Sequence, residues 1–250
     1  MARVALVTGG TRGIGAAVAE ALKNAGYDVA ASYAGNDEAA KKFTERTGIR
    51  TYKFDVADFE ACQGAVAQIE KDIGPVDVLV NNAGITRDGT MHRMTFDQWN
   101  AVLQTNLSSC FNMSRCVIDG MRERGFGRIL NVLNTGAKAP PAEGAPTAVS
   151  RAAGMALTKI LSAEGAADNV LVNALLVGKI RSAQWERRHA AAGGAESLED
   201  YYVRVGSNLP MGRYGTAEEF ANVACFLASD AGSYVTGTAI NVDGGLAPVV

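Results

Sequence analysis

The segment Thr8-Gly9-Gly10-Thr11-Arg12-Gly13-Ile14-Gly15 decides the fold of this chain. It stands between a β-branched run, residues 4–8, and an amphipathic helical pattern over residues 14–25. Its glycines permit a sharp turn and let a pyrophosphate approach the N–H groups at the start of the helix, where the helix dipole favours an anion. An ordinary strand–helix turn is the alternative. The position directly after the first strand favours a nucleotide-binding loop.

Outward from this loop, short apolar runs alternate with longer amphipathic segments. The pattern predicts strands over residues 4–8, 28–33, 51–54, 76–81, 128–133, 170–176 and 239–242, and helices over residues 14–25, 38–47, 59–73, 96–124 (broken once near Asn106), 147–165 and 217–228. Strands that alternate with helices of this length form βαβ units with right-handed crossovers. The predicted fold class is α/β, a Rossmann-type doubly wound parallel sheet with helices on both faces. Neither a repeat nor a linker interrupts the pattern, which predicts a single domain over residues 1–250.

The composition argues against several classes of protein. The chain has 250 residues, of which 28 are glycine and 6 are proline, and its formal net charge is −2. These values argue against a collagen-like or disordered chain and against a basic surface for nucleic acid. Four scattered cysteines and two histidines suggest neither a disulfide framework nor a metal site, so reduced thiols in a cytoplasmic protein are expected. Apolar stretches fall short of the roughly 18 residues that span a membrane, so no membrane partner is expected.

The end of the second predicted strand bears on the choice of cofactor. In an NAD site an Asp or Glu about 20 residues beyond the loop holds the ribose 2′-hydroxyl. Here that position is Tyr33, and the first carboxylate after it is Asp37. A carboxylate would repel a 2′-phosphate, whereas Arg12 inside the loop can pair with one. NADP(H) is therefore favoured over NAD(H), with a solvated loop cation as the alternative for Arg12.

Several motifs resemble those of the short-chain dehydrogenases/reductases, in the same order and at similar spacing. They are the TGxxxGxG loop at 8–15, the acidic Asp55 after the third strand, the NNAG motif at 81–84, the helix asparagine Asn106 and the C-terminal Val242-Asp243-Gly244-Gly245. The resemblance covers the whole chain and is closer up to about Leu130. It implies an NADP(H)-dependent oxidoreductase that forms a homotetramer. Its substrate would be a small molecule with a carbonyl or hydroxyl group, similar to a 3-oxoacyl thioester.

Together with the glycine loop, the resemblance implies a set of cofactor-binding residues. The set extends from the loop to the segment after the sixth predicted strand and comprises Gly9, Thr11, Arg12, Gly13, Ile14, Gly15, Tyr33, Asp55, Val56, Asn82, Ala83, Gly84, Arg151, Gly178 and Ile180. The family usually has proline before the glycine at position 178, and this chain has valine there.

The chain departs from the family at the positions that carry out catalysis. The family uses Ser, Tyr and Lys besides the helix asparagine, and the spacing from the fifth strand puts Asn134, Thr147 and Arg151 at those positions. No change of register supplies the tyrosine, and Lys138 lies on the wrong side of the loop. The candidate catalytic residues are therefore Asn106, Asn134, Thr147 and Arg151.

These substitutions change the acid–base chemistry. A threonine hydroxyl is far less acidic than a tyrosine whose pKa is lowered by a neighbouring lysine. Arg151 can still bond a ribose, and the Asn134 amide can still polarise a carbonyl. Loss of a general acid costs roughly 10²–10⁴ in rate. The site is expected to bind a nicotinamide but to be poorly equipped for proton transfer.

Residues 184–208 occupy the place of a mobile substrate lid in the family, with Gly193-Gly194 as a candidate hinge. The charged and aromatic residues of this segment include Trp185, Arg187, Arg188, His189, Tyr201 and Tyr202. Either tyrosine is a candidate substitute acid, and the arginines are candidates for contact with a CoA phosphate. Solvated helix ends with packing aromatics are the favoured alternative.

Two functions stay open on these observations. The first is a reductase or dehydrogenase with a non-standard proton donor, which the intact nucleotide motifs favour. The second is a nucleotide-binding but catalytically silent sensor or assembly subunit, which the three substitutions favour. A hybrid chain, with a divergent part after about Leu130, is a related hypothesis.

Overall fold

The computed structural model describes residues 2–191, 193 and 195–250. Its strands are β1 Val4–Val7, β2 Asp28–Tyr33, β3 Arg50–Lys53, β4 Val76–Asn81, β5 Asp88–Gly89, β6 Gly127–Asn134, β7 Ala145–Pro146, β8 Val170–Val177 and β9 Ala239–Val242. The short strands β5 and β7 form a separate antiparallel ladder. The other strands form one seven-stranded sheet.

The main sheet is parallel throughout, in the order β3-β2-β1-β4-β6-β8-β9. The order reverses between β1 and β4, so the loops that leave the carboxyl ends of these strands diverge and open a crevice. The glycine loop follows β1 and the NNAG motif ends β4, so both predicted cofactor motifs lie at this crevice. The predicted fold class is confirmed.

Helices cover both faces of the sheet. They are α1 Gly13–Asn24, α2 Asp37–Thr47, α3 Phe59–Asp72, α4 Phe96–Leu103, α5 Ser109–Glu123, α6 Thr147–Gly165, α7 Ala183–Ala191, α8 Leu198–Gly206 and α9 Ala217–Ala228. Successive side chains of β1 point to opposite faces of the sheet. Ala5 and Val7 pack with α1 and α9 on one face, whereas Leu6 packs with α3 and α5 on the other. Burial on both faces explains why the central strands are apolar runs rather than alternating patterns.

Helix starts follow local capping chemistry. The Asn36 side chain accepts the Ala39 N–H at 2.9 Å before α2, and Asp58 accepts the Ala61 N–H at 3.1 Å before α3. Thr216 and Glu219 form a capping box at the start of α9. Such caps satisfy N–H groups that have no partner within the helix. The predicted long elements begin and end within one residue of the observed ones.

The long helical pattern after residue 96 does not break at Asn106. Instead, α4 passes through a π-helical turn, Gln104–Ser108, directly into α5. The Asn106 side chain bonds the backbone of Ile85 in the loop after β4 and leaves the helix axis uninterrupted. The predicted break is therefore wrong, because the helix continues through this region and only widens for one turn.

The predicted lid contains two helices, α7 and α8, which the sequence pattern did not indicate. Gly193 between them has φ of +95°, a conformation that favours glycine. Gly194, the other residue of the proposed hinge, lies outside the described residues. Within the part of the chain that the structure describes, no helix has the length and apolar character needed to cross a membrane.

Candidate active site

The glycine loop turns tightly from β1 into α1. Gly9 and Gly13 have φ of +60° and +53°, so both adopt the left-handed conformation that glycine tolerates. A Cβ atom on Gly15 would collide with the Gly9 carbonyl oxygen and the Asn82 amide, so glycine is required for packing there. At Gly13, by contrast, no described atom lies within 4 Å of a Cβ position. The loop is therefore packed on its inner side and open on the side of Gly13.

The glycine loop and the NNAG motif form one hydrogen-bonded unit. The hydroxyl oxygen of Thr8 accepts the backbone N–H groups of Asn82 and Ala83, each at 3.0 Å. In return, the Asn82 side-chain amide donates to the carbonyl oxygens of Thr8 at 2.9 Å and Gly9 at 3.1 Å. These bonds join segments more than 70 positions apart in the sequence. They hold the loops after β1 and β4 in a fixed relation across the crevice.

Asn106 and Arg151 meet beside Gly84. Asn106 Oδ1 accepts the Ile85 N–H at 2.8 Å, and its Nδ2 donates to the Ile85 carbonyl oxygen at 3.0 Å and to Ser150 Oγ at 3.2 Å. A Cβ on Gly84 would collide with the Arg151 guanidinium. The fully buried Asn106 thus ties the loop after β4 to helix α6, and glycine at 84 leaves room for the arginine.

Arg151 is a buried cation at the edge of the crevice. Its Nη1 donates to the Val132 carbonyl oxygen at 2.9 Å, while its Nε is buried without a hydrogen-bond partner in the described chain. Burial lowers the pKa of the Arg151 guanidinium, although an arginine keeps its charge in proteins. Since no carboxylate of the described residues pairs with it, the guanidinium has unused capacity for a polar ligand.

Asn134 and Thr147 line the same crevice but differ in what their side chains can offer. Asn134 Oδ1 is buried without a partner among the described residues. The Thr147 hydroxyl is fully used: it accepts the Arg87 N–H at 3.1 Å and donates to the Arg87 carbonyl oxygen at 3.0 Å. The Asn134 oxygen can therefore accept a hydrogen bond from a ligand, whereas the threonine holds the loop that carries Arg87.

A cavity of about 520 Å³ lies at the carboxyl ends of β4, β6 and β8. Several residues predicted for the site line it: Ile14, Asn82, Gly84, Asn134, Thr147, Arg151, Gly178 and Ile180. Its charged lining residues are Asp88, Arg151, Lys179 and Arg188. The cavity is open and polar, and it lies near the point where the strand order reverses. Open α/β sheets usually bind their ligands at this point.

The remaining predicted residues lie outside this cavity. Gly9, Thr11 and Arg12 lie in the loop after β1, Gly13 and Gly15 in the first turn of α1, and Ala83 in the loop after β4. Tyr33 ends β2, Asp55 and Val56 follow β3, and Asn106 lies in the π-helical turn. The Asp55 carboxylate accepts the Ala57 N–H at 2.9 Å. The structure thus brings three of the residues predicted for catalysis, Asn134, Thr147 and Arg151, together at the cavity. The other predicted residues outside it lie at the carboxyl ends of β1 to β4 and in the π-helical turn.

The end of β2 carries a small charged network. Asp37 accepts a hydrogen bond from Lys53 Nζ at 2.9 Å, which lowers the pKa of the Asp37 carboxyl, and Tyr33 contributes to the same effect. The pKa of Tyr33 is raised by desolvation and by Asp37. Arg12 is exposed at the start of α1 and bears no ion pair with a described residue. The carboxylate nearest the predicted ribose position is thus already paired with a cation.

The lid aromatics pack against one another. Tyr202 is buried and its hydroxyl donates to the Ser182 carbonyl oxygen at 3.5 Å, while the Tyr201 ring lies 5.2 Å from His189 and 5.8 Å from Tyr202. Neither tyrosine lines the cavity, but Trp185 does. This arrangement agrees with the favoured interpretation of packing aromatics.

Lys179 was not predicted as a site residue, although it lies between Gly178 and Ile180, which are both predicted to bind the cofactor. It lines the cavity, and its Nζ lies 4.0 Å from the centroid of the Trp185 ring. A signal was present, since Lys179 is the first charged residue after the apolar strand β8. Its direction into the cavity, however, depends on the backbone path beyond β8.

Comparison with known proteins identifies the family. The family model described as enoyl-(acyl carrier protein) reductase matches residues 9–247. The chain belongs to the short-chain dehydrogenase/reductase family. It is therefore an oxidoreductase of the ketoreductase-like type. The predicted resemblance is confirmed.

Several relatives of this short-chain dehydrogenase/reductase are similar over nearly their whole length. The acetoacetyl-CoA reductase of Shinella zoogloeoides is 48% identical over 245 residues, 98% of each chain. The 3-oxoacyl-[acyl-carrier-protein] reductase FabG of Haemophilus influenzae is 35% identical over 98% of each chain. The crystal structure of a variant of actinorhodin polyketide ketoreductase with NADPH superposes with a TM-score of 0.92 at 33% identity, over 99% of this chain and 98% of that one. The likeness thus extends well beyond Leu130.

Proposed function

We propose that this chain is an NADPH-dependent ketoreductase that reduces the keto group of a 3-oxoacyl thioester. The observation that carries the proposal is the cavity in which Asn82 and Gly84 of the cofactor loops meet Asn134 and Arg151. The relatives named as acetoacetyl-CoA and 3-oxoacyl-[acyl-carrier-protein] reductases support this class of substrate.

The residues of the crevice fit a nicotinamide dinucleotide. Gly13 leaves open space at the start of α1, where a pyrophosphate would meet the helix N–H groups. The unpartnered Nε of Arg151 offers a donor to ribose hydroxyls, and the missing Cβ of Gly84 leaves room beside it. Once bound, the reduced cofactor supplies a hydride. The chain itself must then orient the substrate carbonyl and provide the proton.

Each polar residue of the site has a distinct role in this proposal. Asn134 lines the cavity, and its side-chain N–H donates to the carbonyl oxygen in the place of the family serine. Arg151 binds the cofactor ribose in the place of the lysine. Asn106 positions the loop after β4 through Ile85 and Ser150. Thr147, in the place of the tyrosine, fixes Arg87 and takes no part in proton transfer.

The preference for NADP(H) over NAD(H) is part of the proposal. The exposed Arg12 can pair with a 2′-phosphate, and Lys53 pairs with Asp37, the carboxylate that would otherwise repel this group.

We also propose a cytoplasmic homotetramer, in line with the four free thiols. Exposed apolar side chains on α5 and α6, namely Phe111, Val149 and Ile160, support self-association.

A catalytically silent nucleotide-binding protein is the second candidate function. The commitment of the Thr147 hydroxyl to Arg87 favours it, because no tyrosine of the described chain lines the cavity in its place. Titration with NADPH and NADH by fluorescence, followed by turnover assays on ketones and 3-oxoacyl thioesters, separates the two. Binding with turnover of a thioester supports the reductase, whereas binding without any turnover supports the silent protein.

A further inference from the structure

Reduction of a carbonyl group requires a proton at the oxygen, and the predicted residues do not supply it. The proton of the Thr147 hydroxyl is held by the Arg87 carbonyl oxygen. Arg151 does not release its proton near neutral pH, and the Asn134 amide is not an acid. Among the described residues that line the cavity, the other groups that can carry an acidic proton are Asp88 and Lys179.

Lys179 is held rigidly at the cavity by its backbone. Its carbonyl oxygen accepts the Gly215 N–H at 2.9 Å, and the preceding Gly178 donates to the Val242 carbonyl oxygen at 3.2 Å. A Cβ on Gly178 would collide with Asp243, so the chain passes close to β9 just before the lysine. These contacts direct the half-buried side chain of Lys179 across the face of Trp185 at the cavity wall.

The charges around Lys179 are mostly positive. Arg188 lies over the same Trp185 ring, with its Cζ 4.8 Å from the centroid, and Arg151 lines the cavity from α6. The one acidic residue of the lining, Asp88, faces Arg188 at 3.8 Å. Within the described chain, no carboxylate lies within ion-pair distance of Lys179. Burial, and then Arg188, lower the pKa of the Lys179 ammonium below its ordinary value.

We propose that Lys179 is the proton donor of this active site, taking the role of the tyrosine that the family places on α6. The proposal rests on the ketoreductase function proposed above. Lys179 shares the cavity with Asn134 and Arg151, and it follows the end of β8, two residues after Val177, the register partner of Asn134. Asp88 is the less suitable acid, because an aspartate is ordinarily ionised near neutral pH and this one faces Arg188 as an ion pair at 3.8 Å.

The proposed step transfers a hydride and a proton to the substrate carbonyl. The carbonyl carbon accepts a hydride from reduced nicotinamide, and the π electrons of the C=O bond move to the oxygen. The Lys179 N–H bond breaks, and its proton forms the new O–H bond. The ketone is reduced to an alcohol, the nicotinamide is oxidised, and the neutral amine of Lys179 takes up one proton from the solvent, which is the proton that the net reaction consumes. Burial and the charge of Arg188 make this neutral amine less costly to form.

The kinetic test compares Lys179→Met and Lys179→Ala with wild type in acetoacetyl-CoA reduction. We expect kcat to fall by roughly 10²–10⁴, with NADPH affinity unchanged. Wild-type kcat/KM falls at alkaline pH as Lys179 loses its proton, and the variants lose this alkaline limb. Methylammonium added to Lys179→Ala should restore part of kcat in proportion to its concentration. Lys71→Met, which removes an exposed lysine of α3 outside the cavity, is the matched control.

A second readout needs no turnover. Lysines are ¹³C-dimethylated, and the Lys179 signal is assigned by its absence in Lys179→Met. We expect it to titrate below the other lysines and to shift when NADP⁺ and acetoacetyl-CoA form a non-productive complex. The proposal would be overturned if the Lys179 signal titrated in the same pH range as the other lysines and did not shift in this complex.

The outcomes distinguish this proposal from the function on which it rests. A rise in KM with unchanged kcat, or no rescue by methylammonium, overturns the proton-donor role alone. Wild-type protein that binds NADPH without turning over any ketone overturns the reductase function and the lysine role together. Loss of NADPH binding in the variants would also count against the role, because it would place Lys179 in cofactor binding.

Discussion

The Thr147 hydroxyl makes two hydrogen bonds to the backbone of one residue, Arg87, accepting its N–H at 3.1 Å and donating to its carbonyl oxygen at 3.0 Å. The pair joins the first residue of α6 to the loop after β4, across 60 positions of sequence. Thr147 itself is almost fully buried. At the position where the family spacing predicts a proton donor, this chain thus has a structural link.

The change Thr147→Val tests this interpretation. Valine keeps the shape but leaves the Arg87 N–H and carbonyl groups without their partner, which should lower the free energy of unfolding by about 1–3 kcal/mol. The melting temperature should fall by a few degrees, measured by calorimetry. A structural role predicts no change in the pH dependence of kcat, whereas a proton-donor role predicts loss of a titration limb. Thr147→Ser keeps the hydroxyl and serves as the control.

Gly84→Ala should disable cofactor binding without unfolding the protein. The added Cβ would meet the Arg151 guanidinium, which is pinned to the Val132 carbonyl oxygen and cannot move freely. We expect NADPH affinity to fall by at least tenfold in a fluorescence titration, about 1.4 kcal/mol. The control is Gly64→Ala, because Gly64 lies within α3 and its Cβ position is open. That change should raise stability by roughly 0.5–1 kcal/mol and leave affinity unaltered. Equal affinities of the two variants would refute the account of Gly84.

Arg12→Ala should reduce the discrimination between NADPH and NADH. Because Arg12 is exposed, its contact with a 2′-phosphate is screened by solvent, and we expect only about 1 kcal/mol, roughly a fivefold loss of NADPH affinity. NADH affinity should stay the same, and the NADPH effect should shrink at high salt. Lys53→Met should act in the same direction by leaving Asp37 unpaired. Equal losses for both cofactors would argue for a general role of Arg12 in the loop.

Acid should weaken the start of α9 through Glu219. Its hydrogen bonds with Arg213, and then with the Thr216 N–H, lower the pKa of this carboxyl from 4.5 to about 2. A lowered folded-state pKa stabilises the fold at pH values above 4.5, and this contribution is lost as the pH falls from 4.5 towards about 2. The free energies of unfolding of wild type and Glu219→Gln, measured with urea, should therefore converge as the pH falls through this range. Glutamine retains the capping contact with Thr216. A constant difference in unfolding free energy between the two proteins at every pH would therefore contradict the role given to the Glu219 charge.

Much of the fold follows from local signals in the sequence. Apolar periodicity, capping residues and glycines at helix ends act within a few residues, so predicted elements such as 76–81 and 147–165 match the observed ones. The prediction failed where a residue forms hydrogen bonds to a segment that is distant in the sequence. The polar Asn106 looked like a helix break, yet its side chain bonds Ile85 and the helix continues as a π turn.

By itself the sequence determined the doubly wound sheet and the position of the glycine loop, and it predicted which residues stand at the family's catalytic positions. Only the tertiary structure decided which groups those residues contact. The register of β1 and β4 brings Thr8 to Asn82, and the antiparallel β5–β7 ladder brings Thr147 to Arg87. The backbone beyond β8 sets Lys179 in the cavity that Asn134 and Arg151 also line. These contacts join segments far apart in sequence, whereas propensity and periodicity act over a few residues. For this reason the role of a hydroxyl, or the direction of a lysine, depended on the packed crevice.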